Sequence, residues 1–145
     1  MKASLLYRIA SVLLIVVAAF NTYSLLRFWQ VAGSMNPVHF PVAGRDVTYT
    51  QIVVTYELFC SLCILFGAYL AWHLGRLART TPQAIGALGW IFFAYQLAGV
   101  GFSFTFFSGL VRILAATIAI CMGWASWLST THRQGQKQQS EPVLG

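Results

Sequence analysis

Charged residues are scarce in this chain of 145 residues, and acidic residues are the scarcest among them. Asp, Glu, Lys and Arg together make up 8% of the sequence, whereas a soluble domain carries about 25%. Hydrophobic residues make up 58% and the mean hydropathy is +0.70. A soluble fold could not solvate such a surface, so the composition excludes an ordinary soluble globular protein.

Histidine is also rare, and the positions of the three histidines argue against a metal or haem site. His39 follows the first apolar stretch, His73 ends the second, and His132 lies near the C-terminus. A zinc or bis-histidine haem site needs ligands that face one another within a few ångströms. No two of these histidines share a depth, so we expect no metal site and no cofactor.

The basic residues outnumber the acidic ones by nine to three, which gives a net charge of +6. They are scattered at the ends of apolar stretches rather than gathered on one face, as a nucleic-acid interface would require. We therefore expect no nucleic-acid partner.

Long apolar stretches dominate what remains. They cover residues 9–26, 52–74, 85–107 and 110–128, and each approaches the ~20 residues that cross ~30 Å of hydrocarbon. Short connections rich in Pro, Gly, Ser and Thr predict antiparallel neighbours. The fold class is therefore an all-α membrane protein, an antiparallel up-down four-helix transmembrane bundle over residues 1–128. Small residues repeated every four positions, such as Ala94 and Ala98, predict close helix packing.

The two ends of the predicted bundle differ in charge and in composition. Short cytoplasmic segments are enriched in Lys and Arg, and the more basic end holds Lys2, Arg8, Arg76, Arg79, Arg133 and Lys137. This bias places both termini in the cytoplasm and makes 27–51 an external loop. Residues 129–145 are dominated by Gln, Ser, Thr, Gly and Lys, so we expect a disordered cytoplasmic tail.

Polar residues inside the spans indicate a site in the external half of the bundle. Glu57 is the only acidic residue within a span, Arg112 lies at a comparable depth, and an ion pair between them is expected. With the loop as a roof, the predicted polar pocket would be lined by Glu57, Arg112, Asn21, Gln96, His39, Arg45 and Tyr49. In the alternative interpretation, Glu57 and Arg112 only neutralise each other, while Asn21 and Gln96 cross-link helices.

Cys60 and Cys63 form a Cys-x-x-Cys pair inside the second span. Membrane thiol oxidoreductases that pass electrons to quinone use such a pair in a four-helix bundle. They normally have a second pair in an external loop, and this chain has none. Burial in lipid also suppresses the reactive thiolate, so the alternative is that both are small packing residues.

Three segments resemble a family of small, uncharacterised bacterial integral membrane proteins with four spans. They are Met35-Asn36-Pro37-Val38-His39-Phe40, Gly44-Arg45-Asp46-Val47-Thr48-Tyr49 and Ala71-Trp72-His73-Leu74-Gly75-Arg76-Leu77-Ala78-Arg79. The resemblance implies the same bundle, a bacterial inner-membrane location and an ordered element at 35–49. Its members carry a His near position 21, where this chain has Asn21, and the family has no established activity to transfer.

Together these observations favour a non-enzymatic membrane protein that binds a lipophilic small molecule or a membrane partner in the external half. The expected partners are the lipid bilayer and a lipid, a quinone or another membrane protein. One alternative is an accessory subunit of a larger complex, whose packing surface would be the run Phe102, Phe104, Phe106 and Phe107. Another is a membrane-embedded oxidoreductase that uses quinone through Cys60 and Cys63.

Overall fold

The computed structural model describes residues 2–32, 39–42, 44–106 and 109–139, and this part of the chain is almost entirely helical. The elements are α1 (Lys2–Ala32), β1 (His39–Val42), β2 (Arg45–Thr48), α2 (Tyr49–Thr80), α3 (Pro82–Phe106) and α4 (Leu110–Gln139). All four helices are long and apolar enough to cross a membrane. The predicted class, a four-helix membrane protein, is confirmed.

Local side-chain chemistry explains where α2 begins and ends. The backbone N–H of Gln51 donates to the Thr48 hydroxyl over 3.3 Å, and the N–H of Thr48 donates to the Gln51 side chain over 3.0 Å. Because of this capping box, α2 begins at Tyr49, ahead of residue 52, where the second span was predicted to begin. At the other end, the Thr81 N–H donates to the carbonyl of Leu77 and Pro82 follows. The backbone of α3 then departs from helical geometry at Gly86.

Side-chain hydrogen bonds join α1 to α2 and α3 to α4. Ser4 at the start of α1 bonds to Gly75 near the end of α2, while Asn21 bonds to Ser61 at an earlier turn of α2. On the other side, Trp90 of α3 bonds to Thr130 of α4. These contacts are compatible with the predicted up-down bundle. We divide the bundle into two halves. The terminal half contains the start of α1, and the hairpin half contains β1 and β2.

The terminal half holds most of the core. Tyr7, Ala71, Ile85, Met122 and Ala125 are all fully buried there. The helices approach closely at Gly89, where an added Cβ would lie 2.7 Å from the Tyr7 hydroxyl oxygen and 3.0 Å from the Ser126 hydroxyl oxygen. Small residues therefore do allow close packing, but mainly in this half of the bundle.

In the hairpin half, α3 leaves the core. Among the α3 side chains that the structure describes, Phe92 is the last that is buried, and the predicted packing of Ala94 and Ala98 is wrong because both are exposed. The face of α3 that packs is the one carrying Ile85, Gly89 and Phe92, and Ala94 lies on the opposite side of the helix. The small-residue spacing was present, but Ala94 lies away from the packed face and Ala98 borders a cavity.

The segment predicted as an external loop contains a β-hairpin. β1 pairs antiparallel with β2, with His39 opposite Thr48 and Val42 opposite Arg45. Gly44 turns the chain with a φ of 77°. Asp46 accepts a 3.2 Å contact from the Nδ1 of His39. Residues 33–38 and 43, which complete the predicted ordered element, lie outside the described residues.

At the other terminus, α4 continues to Gln139, well beyond the predicted end of the fourth span at residue 128. The tail predicted to be disordered from residue 129 therefore begins as helix. Helix-breaking Pro does not occur until Pro142, and hydroxyl groups such as those of Ser129 and Thr130 bond to carbonyls four residues earlier rather than interrupting the helix. Residues 140–145 lie outside the described residues.

Candidate functional site

A cavity of about 700 Å³ lies in the hairpin half among all four helices. This volume is within the range of roughly 300–1,000 Å³ found for small-molecule sites. Its lining is mostly apolar, with a few polar groups, and includes Leu14 and Asn21 of α1, Glu57 and Cys60 of α2, Gln96 and Phe102 of α3, and Ala115 and Ile118 of α4.

Small residues leave this space open. An added Cβ at Gly99 would meet nothing within 4 Å, whereas one at Gly67 would reach ordinary contact distance, 3.8–3.9 Å, from the side chains of Gln96, Phe92 and Leu14. Ala115, another small residue, lines the cavity from α4. The cavity therefore exists because α2 and α3 diverge beyond Phe92 and because the residues facing the gap are too small to fill it.

Asn21 cross-links two helices at the edge of the cavity. Its side-chain amide donates to the Ser61 hydroxyl over 3.0 Å and to the backbone carbonyl of Glu57 over 3.3 Å. Thr22 adds a hydroxyl contact of 3.5 Å to the same serine. Asn21 therefore lines the cavity, as the site prediction expects. It also joins α1 to α2, as the alternative interpretation expects.

Glu57 and Gln96 differ from Asn21 in having no such partners. Neither side chain forms a hydrogen bond or salt bridge with any other residue that the structure describes. Glu57 is half-buried on α2, and Gln96 is half-buried on α3. Their polar ends thus share one largely apolar cavity, and the protein leaves them unsatisfied.

Arg112 does not pair with Glu57. Among the described residues, the salt bridge present is the one between His39 and Asp46. The guanidinium carbon of Arg112 instead lies 5.6 Å from the ring centroid of Phe104, a cation–π geometry. The expected ion pair is therefore wrong, because equal depth in two helices does not bring their side chains onto facing surfaces.

The three predicted residues from the loop also lie apart from the cavity. His39 and Arg45 are exposed on the hairpin, and Tyr49 is exposed at the first turn of α2. None of them is among the cavity-lining residues in the described part of the chain. The hairpin strands pair with each other, and the His39 side chain contacts Asp46 on the neighbouring strand.

Some lining residues were not predicted as part of the site. Tyr56, Gly67 and Tyr95 border the cavity, as do both Cys60 and Cys63. Helical periodicity could have identified the lining residues of α2, since positions 60, 64 and 67 lie on the same helix face as Glu57. All three cysteines are free thiols.

A second cavity of about 560 Å³ lies between α2 and α3 and extends into the terminal half. It is almost wholly apolar and shares Cys63, Gly67 and Tyr95 with the first cavity. The two cavities are adjacent and both border the α2–α3 gap. We call them together the groove, which has polar groups at the hairpin end and hydrocarbon side chains along the rest.

Within residues 2–32, 39–42, 44–106 and 109–139, His, Cys, Asp and Glu form no cluster of three or more that could hold a metal ion. Comparisons of the whole chain with protein-family models, curated proteins and solved structures find no significant match.

Proposed function

We propose that this integral membrane protein binds an amphipathic small molecule in the groove between α2 and α3. The observation that carries the proposal is the pair Glu57 and Gln96, whose side chains line one cavity and have no partner among the described residues. An unpaired ionisable group within a membrane span costs several kcal/mol, so such groups tend to serve a ligand or a pathway.

The chemistry of the groove indicates the class of ligand. A carboxylate accepts hydrogen bonds and a carboxamide both donates and accepts, so the ligand head would carry a hydrogen-bond donor or a positive charge. The adjacent apolar cavity, which shares Gly67 with the first, would hold a hydrocarbon or isoprenoid portion. A ligand of this kind would satisfy both polar groups and fill the space beside Gly99.

We propose a location in the bacterial cytoplasmic membrane with both termini in the cytoplasm. The support is the distribution of basic residues, since Lys2, Arg8, Arg76 and Arg79 all lie at the terminal half, and short basic segments remain on the cytoplasmic side. The groove's polar end would then face the external half of the bilayer. Labelling of Lys2→Cys and Arg45→Cys variants with a membrane-impermeant thiol reagent, from either side of sealed vesicles, tests this orientation. Lys2→Cys should react only from the cytoplasmic side and Arg45→Cys only from the external side.

Native mass spectrometry from mild detergent tests the binding proposal. The wild-type protein is expected to carry a specific bound mass that Glu57→Gln loses. Asp46→Asn is the matched control, because it removes a carboxylate from the exposed hairpin, away from the cavity. A bare wild-type protein, or equal loss in both variants, would contradict the proposal and favour an accessory subunit, for which exposed Phe102 and Phe104 offer a packing surface.

A second candidate function rests on Cys60 and Cys63, because both thiols line the same cavity. In this reaction the two thiols would form a disulfide, and the two electrons and two protons released would reduce a bound quinone to quinol. Cys60→Ser should then abolish quinone reduction in the presence of a dithiol, whereas Cys121→Ser, on α4, should not. Full activity in Cys60→Ser would remove this candidate.

A further inference from the structure

Two arginines from different helices contact the same crossing of α1 and α2 at the terminal end of the bundle. The Nε of Arg79 donates to the Ser4 hydroxyl over 3.0 Å, and that hydroxyl donates to the Gly75 carbonyl over 2.6 Å. The aliphatic chain of Arg8 packs against the same turn, since a Cβ on Gly75 would lie 3.4 Å from its Cγ. The side chains of both arginines thus border the Ser4–Gly75 contact between α1 and α2.

The side chain of Arg8 is held in place there but is not satisfied. Its guanidinium carbon lies 5.0 Å from the centroid of the Trp72 ring. Its Nε is buried and has no hydrogen-bond partner among the described residues. A buried charged donor without an acceptor is costly, and proteins normally pair such groups. The two terminal nitrogens of the same guanidinium are not among the buried atoms, so an acceptor from outside the chain would bind them while the Nε stays covered by protein.

No carboxylate in the described part of the chain can supply that acceptor. The acidic residues there are Asp46 and Glu57, and both lie in the hairpin half, at the opposite end. Lys2 and Arg76 add further positive charge near Arg8 and Arg79 along α1 and α2. Within the described residues, the terminal end therefore carries several cations and no carboxylate.

We propose that Arg8 and Arg79 bind the phosphate group of an anionic phospholipid at the α1–α2 seam. Guanidinium groups present planar donors that match phosphate oxygens, and basic pockets between membrane helices bind anionic head groups. Trp72, which is 44% exposed, lies beside Arg8 and would contact the upper part of the acyl chains. This site lies at the opposite end from the groove and does not depend on the proposed function.

The contacts of Arg8 differ from those of an arginine that is simply solvated at the membrane surface. An interfacial arginine usually extends its guanidinium into the head-group region and stays solvated. Here the Nε is buried, the arm lies over Trp72, and the adjacent backbone approaches closely at Gly75. The first lipid phosphate that reaches this seam would meet donors already oriented by protein contacts.

Lipid titration followed by native mass spectrometry tests the site. Phosphatidylglycerol is expected to bind the wild-type protein more tightly than phosphatidylcholine does. Removing one charged hydrogen-bonding partner costs about 1.5–3 kcal/mol, so Arg8→Gln and Arg79→Gln should each weaken phosphatidylglycerol binding about tenfold or more. Arg79 is exposed, so its variant should fold even if Arg8→Gln does not.

Arg45→Gln is the matched control, because this exposed arginine lies on the hairpin at the opposite end. It should bind phosphatidylglycerol as the wild type does. Equal binding of both lipids, an unchanged affinity in Arg79→Gln, or the same loss in Arg45→Gln would overturn the proposal. Displacement of bound phosphatidylglycerol by inorganic phosphate at equal concentration would assign the site to a free anion and overturn its assignment to a lipid.

Discussion

The side-chain amide of Asn21 donates a 3.0 Å hydrogen bond to the hydroxyl oxygen of Ser61, which ties α1 to α2 at the edge of the cavity. Hydrogen bonds between membrane helices contribute about 0.6 to 2 kcal/mol. Asn21→Leu should therefore lower the free energy of unfolding in detergent by roughly this amount.

A double-mutant cycle with Ser61→Ala isolates this bond, since Asn21 also donates to the carbonyl of Glu57. The two substitutions should be less costly together than the sum of each alone. Strict additivity would show that the two side chains do not stabilise one another.

Gly89 is the point of closest helix approach in the core. An added Cβ would lie within 3.2 Å of Tyr7, Ser126 and Ile85, so Gly89→Ala should destabilise the bundle by about 1–3 kcal/mol through overpacking. Gly101→Ala is the matched control on the same helix, where nothing lies within 4 Å. It should be neutral or slightly stabilising because Ala favours helix. Thermal unfolding of both variants in one detergent provides the comparison, and equal melting temperatures would contradict this packing.

Tyr7 joins α1 to α4 through its hydroxyl group, which lies 3.1 Å from that of Ser126. Because Ser126 donates to the carbonyl of Met122, Tyr7 is the donor in this pair. Tyr7→Phe should cost about 0.6 to 2 kcal/mol of stability, while the exposed Tyr69→Phe should cost nothing measurable. Equilibrium unfolding of the two variants tests the difference, and a similar stability for both would count against the Tyr7 bond.

Gly99 lines the larger cavity and has open space beside it, which makes it the place to block the groove. Gly99→Leu should abolish binding of the proposed amphipathic ligand while preserving the bundle, since an added Cβ there would meet nothing within 4 Å. Native mass spectrometry should show a folded protein without the bound mass. Retention of that mass would mean that the ligand lies outside the groove.

The spans were predictable because hydropathy and length require no knowledge of neighbouring helices. The direction in which each helix faces was much less predictable, because a transmembrane helix is apolar on all sides. Arg112 illustrates the result: its depth matched that of Glu57, but its guanidinium lies over Phe104. The hairpin at His39–Val42 and Arg45–Thr48 depends on strand pairing that the loop composition did not indicate.

Asn21, Glu57 and Gln96 were predicted together and do border one cavity. Their polarity within apolar helices was the signal, and polar groups avoid facing lipid. His39, Arg45 and Tyr49 were assigned to the site because a long loop could fold over it. Sequence reasoning could not anticipate that their segment would pair with itself.

Leu62, Phe66 and Ile91 line the smaller cavity and are also more than 60% exposed at the surface of the helices. The α2–α3 gap therefore opens sideways, toward lipid tails, rather than only toward water. A molecule that enters by this route would come from the hydrocarbon interior of the bilayer, where it is dissolved, and not from water. Its occupancy would depend on its mole fraction in the membrane, so diluting the bilayer with inert lipid at a fixed total amount of ligand would lower occupancy.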